Sequence, residues 1–89
     1  MKETKDSFGV TRIYPYASAD AEEKDYFLDG FIEIFTVSFL KGDERYGTIR
    51  SNVGTGYMTP AKWDSLNRAM MRAFDIQRAF HEIEEPANA

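Results

Sequence analysis

The chain contains no cysteine, which excludes disulfides, thiolate metal sites and the small secreted folds that depend on cross-links. A reducing compartment such as a bacterial cytoplasm is the expected location. There is one histidine. Around His81, the carboxylates Glu82 and Glu84 project from a helix in different directions, and no second His or Cys completes a coordination sphere. No metal and no cofactor is expected. Basic residues are also in the minority, 11 Lys and Arg against 15 Asp and Glu, for a net charge of -4. That balance argues against a general affinity for nucleic acid or anionic membrane, because counterion release needs clustered cations. A basic protein partner fits better.

Long hydrophobic runs are missing too. The longest nearly unbroken apolar stretch, residues 31–40, falls far short of the ~20 residues a membrane helix needs. The charged start, residues 1–6, is not followed by a signal-type apolar region. A soluble cytoplasmic protein with no membrane association is expected. Nor is there a catalytic constellation: no carboxylate pair is flanked by a nucleophile, so an enzyme is not expected. Gly54, Thr55 and Gly56 resemble an anion cradle only loosely. Tyr57 stands where a phosphate loop would carry lysine, and Lys62 falls inside the following helix, so the segment reads as a strand-to-helix turn.

What is abundant is aromatic surface: seven Phe and five Tyr in 89 residues. A single domain of this size, residues 1–89, buries only roughly 60 to 65% of the surface its unfolded chain exposes. The stretch 31–40 sharpens the problem because it is apolar on both faces. At period two, Phe31, Phe35, Val37 and Phe39 share one face with Glu33, while Ile32, Ile34 and Leu40 share the other with Thr36 and Ser38. Each face needs a cover, and one helix supplies only one.

The pattern predicts an α+β fold: a three-stranded antiparallel sheet followed by one long C-terminal helix packed on one face. Residues 1–7 and 86–89 read as loose termini. The first strand is 8–16, where Phe8, Val10, Arg12, Tyr14 and Tyr16 alternate with Gly9, Thr11, Ile13 and Pro15. Pro15 places its end at a sheet edge. Residues 17–29 carry Asp20, Glu22, Glu23, Asp25 and Asp29 against Lys24; a capping box from Asp20 to Glu23 and a closing Gly30 predict a short helix between the first two strands. The second strand is 31–40. Lys41, Gly42, Asp43 and Glu44 then turn the chain into a third strand, 45–53. Thr59 as cap and Pro60 as first helical residue open a helix over 60–84, stopped by Pro86. On it, Trp63, Leu66, Met70, Ala73 and Phe74 share one face, with Ile76, Phe80 and Ile83 on the flank. Asp64, Arg68, Arg72, Asp75, Arg78 and Glu82 face water.

Two surfaces follow. The acidic run, with Asp20, Glu22, Glu23 and Asp25 beside the aromatic pair Tyr26 and Phe27, is the candidate for docking on a larger protein. Phe31, Phe35, Phe39, Met71, Phe80 and Ile83 are the candidate homodimer interface, since two-fold dimers are the commonest closed assembly. The expected function is a small acidic inhibitor or adaptor that occupies a basic or apolar surface. Compositionally it is of the kind found among phage host-takeover and anti-defence proteins. The alternative is an RNA- or DNA-binding module, which would need Arg12, Arg45 and Arg50 gathered on an open sheet face beside Tyr14 and Tyr46.

Overall fold

Four strands, not three, pair antiparallel in sequence order in the computed structural model, which describes residues 1–26, 29–36 and 46–88, with 80–88 as helical backbone. They are β1 (Lys2–Lys5), β2 (Val10–Tyr14), β3 (Ile32–Phe35) and β4 (Ile49–Ser51); α1 (Glu23–Tyr26) lies between β2 and β3, and α2 (Pro60–Asn88) follows β4. The α+β class and the C-terminal helix are as the pattern predicts.

The added strand is the segment expected to be a loose arm. Lys-Glu-Thr-Lys has no apolar residue to show alternation, yet it pairs with β2 over Lys2↔Tyr14 to Lys5↔Thr11. The cause lies in the turn. Asp6 accepts hydrogen bonds at Oδ1 from the Phe8 and Val10 amides (2.9 and 3.0 Å) and at Oδ2 from Arg12 Nη1 (2.9 Å). Gly9 adopts φ +80°, a conformation that side chains disfavour. This turn also moves the start of β2 from Phe8 to Val10 and leaves Phe8 exposed.

In β2 and β3, Ile13 faces Ile32 and Arg12 faces Glu33 across the ladder, so the isoleucines share one side and the charged pair the other. The helix covers the isoleucine side: Ile13, Ile32 and Ile34 pack with Ala69 and Ala73 of α2, all fully buried, with Ile49, Val53, Leu66, Met70 and Ile76 around them. Each buried isoleucine stabilises by roughly 1.5 to 3 kcal/mol.

The contact face of α2 is centred on the two alanines rather than on the rings. Trp63 and Phe74, expected in the core, are 49% and 43% exposed. Small residues let the helix axis approach the isoleucine layer, and the large side chains are displaced to the flank. Helix α2 also continues through Pro86 instead of stopping there. Proline's fixed φ is compatible with helical backbone, although its ring removes the donor to the carbonyl four residues back and crowds that carbonyl. At the other end Thr59 caps as expected, its Oγ1 accepting from the Lys62 amide at 3.2 Å.

The strand expected over 31–40 is seen as β3; its continuation 37–40, the turn 41–44 and Arg45 lie outside the described residues. The strand expected over 45–53 shortens to β4, after a turn at Tyr46 and Gly47. Among the described residues no helix is long and apolar enough to cross a membrane.

Candidate functional site

The sheet face opposite α2 is closed in part by the chain's own acidic segment. Tyr26, at the end of α1, is 7% exposed and packs edge-on against Tyr14, with ring centroids 4.5 Å apart; Phe31 lies 5.4 Å beyond on the same tyrosine. Ala17 is buried with them, and Ala21 packs alongside. From β1, Lys2 reaches across: its Nζ donates to the Ala19 carbonyl at 3.0 Å and stands 5.4 Å from the Tyr26 ring centroid. Local bonds complete the segment. Ser18 Oγ donates to Asp20 Oδ1 at 2.9 Å, the Ala21 amide to the Ser18 carbonyl at 3.1 Å, and the Asp25 amide to the Glu22 carbonyl at 2.8 Å. The helix starts at Glu23, later than a cap at Asp20 would place it.

Held in this way, Asp20, Glu22, Glu23 and Asp25 are all exposed, as is Asp29. Lys24 is 3.5 Å from Glu22 on the surface. The sequence pattern therefore identifies the carboxylates correctly as surface groups, but Tyr26 is a core side chain and not a free anchor. Burial pushes the Tyr14 phenol above its ordinary range, against the opposing pull of Arg12. Phe27 lies outside the described residues.

A cleft of about 250 Å³ opens beside α1, with Glu23 and Tyr26 on one wall and Thr4, Lys5, Asp6, Arg12 and Tyr14 on the other. At its base Arg12 is held by Asp6 at 2.9 Å and stands 3.9 Å from Glu33, its guanidinium 5.4 Å from the Phe31 ring. Backbone bonding from Val10, more than any other contact, holds the Asp6 carboxyl below the usual range, with Arg12 and the Phe8 amide adding to it. Arg12 and Arg50 do occupy one sheet face, with Glu33 paired between them. However, Arg12 is engaged by carboxylates and Tyr14 is buried, so neither is open for stacking bases or pairing phosphates.

Around the helix start, Tyr16, Asp29, Asn52, Gly54, Gly56, Tyr57 and Lys62 line an open groove of about 350 Å³. Tyr16 ties this turn down, its hydroxyl donating to the Gly54 carbonyl at 3.4 Å. Lys62 Nζ donates to the Tyr57 carbonyl at 3.4 Å and lies 5.4 Å from the Tyr16 ring centroid. The lysine thus braces the turn from within the helix, in keeping with a structural reading of the Gly-Thr-Gly segment.

Of the residues expected at a dimer interface, Met71 is 58% exposed on α2, while Phe31 and Phe35 are half-buried. Phe39 and the side chains of Phe80 and Ile83 lie outside the described residues. With Tyr14, Tyr26 and Phe31 forming their own cluster, that part of the sheet no longer needs a second copy to cover it. The exposure of Trp63 and Phe74 was missed by helical periodicity alone; the signal was the pair Ala69 and Ala73, one turn apart at the middle of the apolar arc. The chain matches no protein-family model, and no similar curated protein or solved structure was found.

Proposed function

We propose that this chain is a small non-enzymatic protein-binding module, an inhibitor or adaptor of the phage host-takeover or anti-defence type, that occupies a basic surface on a larger protein. The observation that carries this reading is the anchoring of α1: one buried tyrosine fixes a short segment whose carboxylates Asp20, Glu22, Glu23 and Asp25 all project outward. A charged surface ordered before binding avoids about 1 to 2 kcal/mol of backbone ordering entropy for each residue already fixed.

The test is capture from lysate by the native chain and by a variant carrying Asp20→Asn, Glu22→Gln, Glu23→Gln and Asp25→Asn. One specific protein retained by the first and released by the second, with binding that weakens as salt rises, is the expected result. Equal capture by both chains would remove α1 from the interface. Filter binding across salt addresses the nucleic-acid alternative, for which steeply salt-dependent affinity would be the signature.

A further inference from the structure

The flank of α2 carries an apolar stripe that the sheet does not use. Its apolar members Trp63, Met71 and Phe74 fall, with Asn67 and Arg78, within roughly 80° of arc at 3.6 residues per turn, and all five are exposed. The half-buried Met70 joins this stripe to the core face. The stripe runs about 22 Å at 1.5 Å per residue. On its outer side stand two ion pairs, Asp64 with Arg68 at 2.6 Å and Asp75 with Arg78 at 3.8 Å. Arg72, further round, is taken by Glu3.

The order of these charges is what identifies an occupant. Read along the helix it is Asp64, Arg68, Asp75, Arg78; read backwards it is Arg, Asp, Arg, Asp. Reversal about Met71 therefore sets Asp64 opposite Arg78 and Arg68 within a residue of Asp75. We infer that a second copy of this chain docks here, its α2 antiparallel to the first about a two-fold axis near Met71, with Met71, Phe74 and Trp63 as the apolar contacts.

In that arrangement each of these four charges meets its opposite. A parallel pair would put Asp64 on Asp64 and Arg78 on Arg78, so the charges select the orientation as well as the partner. An unrelated protein would require no such reversal symmetry. The seam is short, and dimerisation at micromolar to near-millimolar concentration is expected rather than an obligate assembly.

The absence of cysteine allows a direct test. A single Met71→Cys substitution should form a disulfide-linked dimer under mild oxidation, whereas Lys24→Cys, on α1, should stay monomeric. Sedimentation velocity then tests the charge pattern. The Asp64→Arg/Asp75→Arg variant and the Arg68→Glu/Arg78→Glu variant should each self-associate about 10-fold more weakly than the native chain. An equimolar mixture of the two should associate, which also demonstrates that both are folded. The proposal is overturned if the native chain remains a monomer up to near-millimolar concentration. It is equally overturned if the two charge variants self-associate as the native chain does, or if their mixture stays monomeric while circular dichroism shows both helical.

Discussion

Glu3 and Arg72 join the first strand to the last helix: the arginine donates from Nε at 2.7 Å and from Nη2 at 3.1 Å to the two carboxylate oxygens. Bonding from Arg72 is the main reason the Glu3 carboxyl sits below its ordinary range, against the opposing effect of burial. Strand β1 is held along β2, by Lys2 to the Ala19 carbonyl, and through this bidentate pair to α2, so the pair is one of the ties on the edge of the sheet and the one that reaches the helix.

Substituting Arg72→Met should loosen β1 without unfolding the domain. Both side chains keep more than a third of their surface in solvent, so the loss in global stability should be below about 1 kcal/mol. Local opening is the sharper readout. Amide hydrogen exchange should speed up across Lys2–Lys5 while the amides of Ile32 and Ile34 stay protected. Unchanged exchange in β1 would mean that the β2 ladder, the Asp6 turn and the Lys2 contacts hold the strand without the pair.

Acid should weaken the same edge. Glu3 and Asp6 both have lowered carboxyl pKa values in the folded state, from ordinary values of 4.5 and 3.8. Below those ordinary values the unfolded chain binds more protons than the folded one, so stability falls with pH as the two groups are forced to protonate. Their contribution is complete above about pH 4.5 and is lost as pH drops through the lowered values. A Glu3→Gln/Asp6→Asn double variant should therefore show a shallower decline in Tm below pH 4.5 than the native chain. Parallel curves would show that the two carboxylates contribute nothing pH-dependent to folding.

The elements that periodicity reveals are those with an apolar face. The alternation of Ile32 and Ile34 in β3 and the long amphipathic α2 could be read directly, as could the Thr59 cap. Strand β1 could not, because Lys2, Glu3, Thr4 and Lys5 are held by backbone pairing, an Asp-centred turn and one arginine 69 residues away. Rotation of α2 was equally hidden: Ala69 and Ala73 carry little hydrophobic weight, but their small size decides which face comes closest to the sheet. The carboxylates of the acidic segment were legible as exposed charge. The burial of Tyr26 was not, since it depends on Tyr14 and Phe31 arriving on the same side of the sheet.

Gly30 illustrates a constraint that only the folded chain makes visible. Its φ is +89°, and a Cβ there would sit 2.7 Å from the Asn52 carbonyl oxygen and 2.9 Å from the Val53 Cα. Both neighbours are backbone, fixed by the bonds between Phe31 and Asn52: the Phe31 amide donates to Asn52 Oδ1 at 2.7 Å and the Asn52 amide to the Phe31 carbonyl at 3.1 Å. Gly30→Ala should cost about 2 to 4 kcal/mol, combining left-handed strain with the forced separation of two chain segments. Gly54→Ala, where nothing lies within 4 Å of the added atom, should be neutral or slightly stabilising. Urea midpoints for the two variants make the comparison, and similar midpoints would contradict the close approach at Gly30.

Tyr26→Ala separates the anchoring of α1 from the stability of the fold. Tyr26 belongs to the cluster with Tyr14 and Ala17, whereas Ile13, Ile32, Ile34, Ala69 and Ala73 form the main core on the other side of the sheet. Losing the ring should cost about 2 to 3 kcal/mol, toward the low end for an aromatic truncation, because a four-residue helix can shift into the space. The acidic segment should then exchange its amides freely, beginning with Asp25, while α2 remains protected. Tyr26→Phe should preserve both packing and protection, since the ring rather than the hydroxyl makes the contact with Tyr14. If the segment serves as a pre-ordered docking surface, Tyr26→Ala should also weaken capture of the partner although every carboxylate is still present, because ordering must then occur on binding. Full partner affinity in a Tyr26→Ala chain whose α1 is shown by exchange to be unfolded would separate the acidic charge from the fold that presents it.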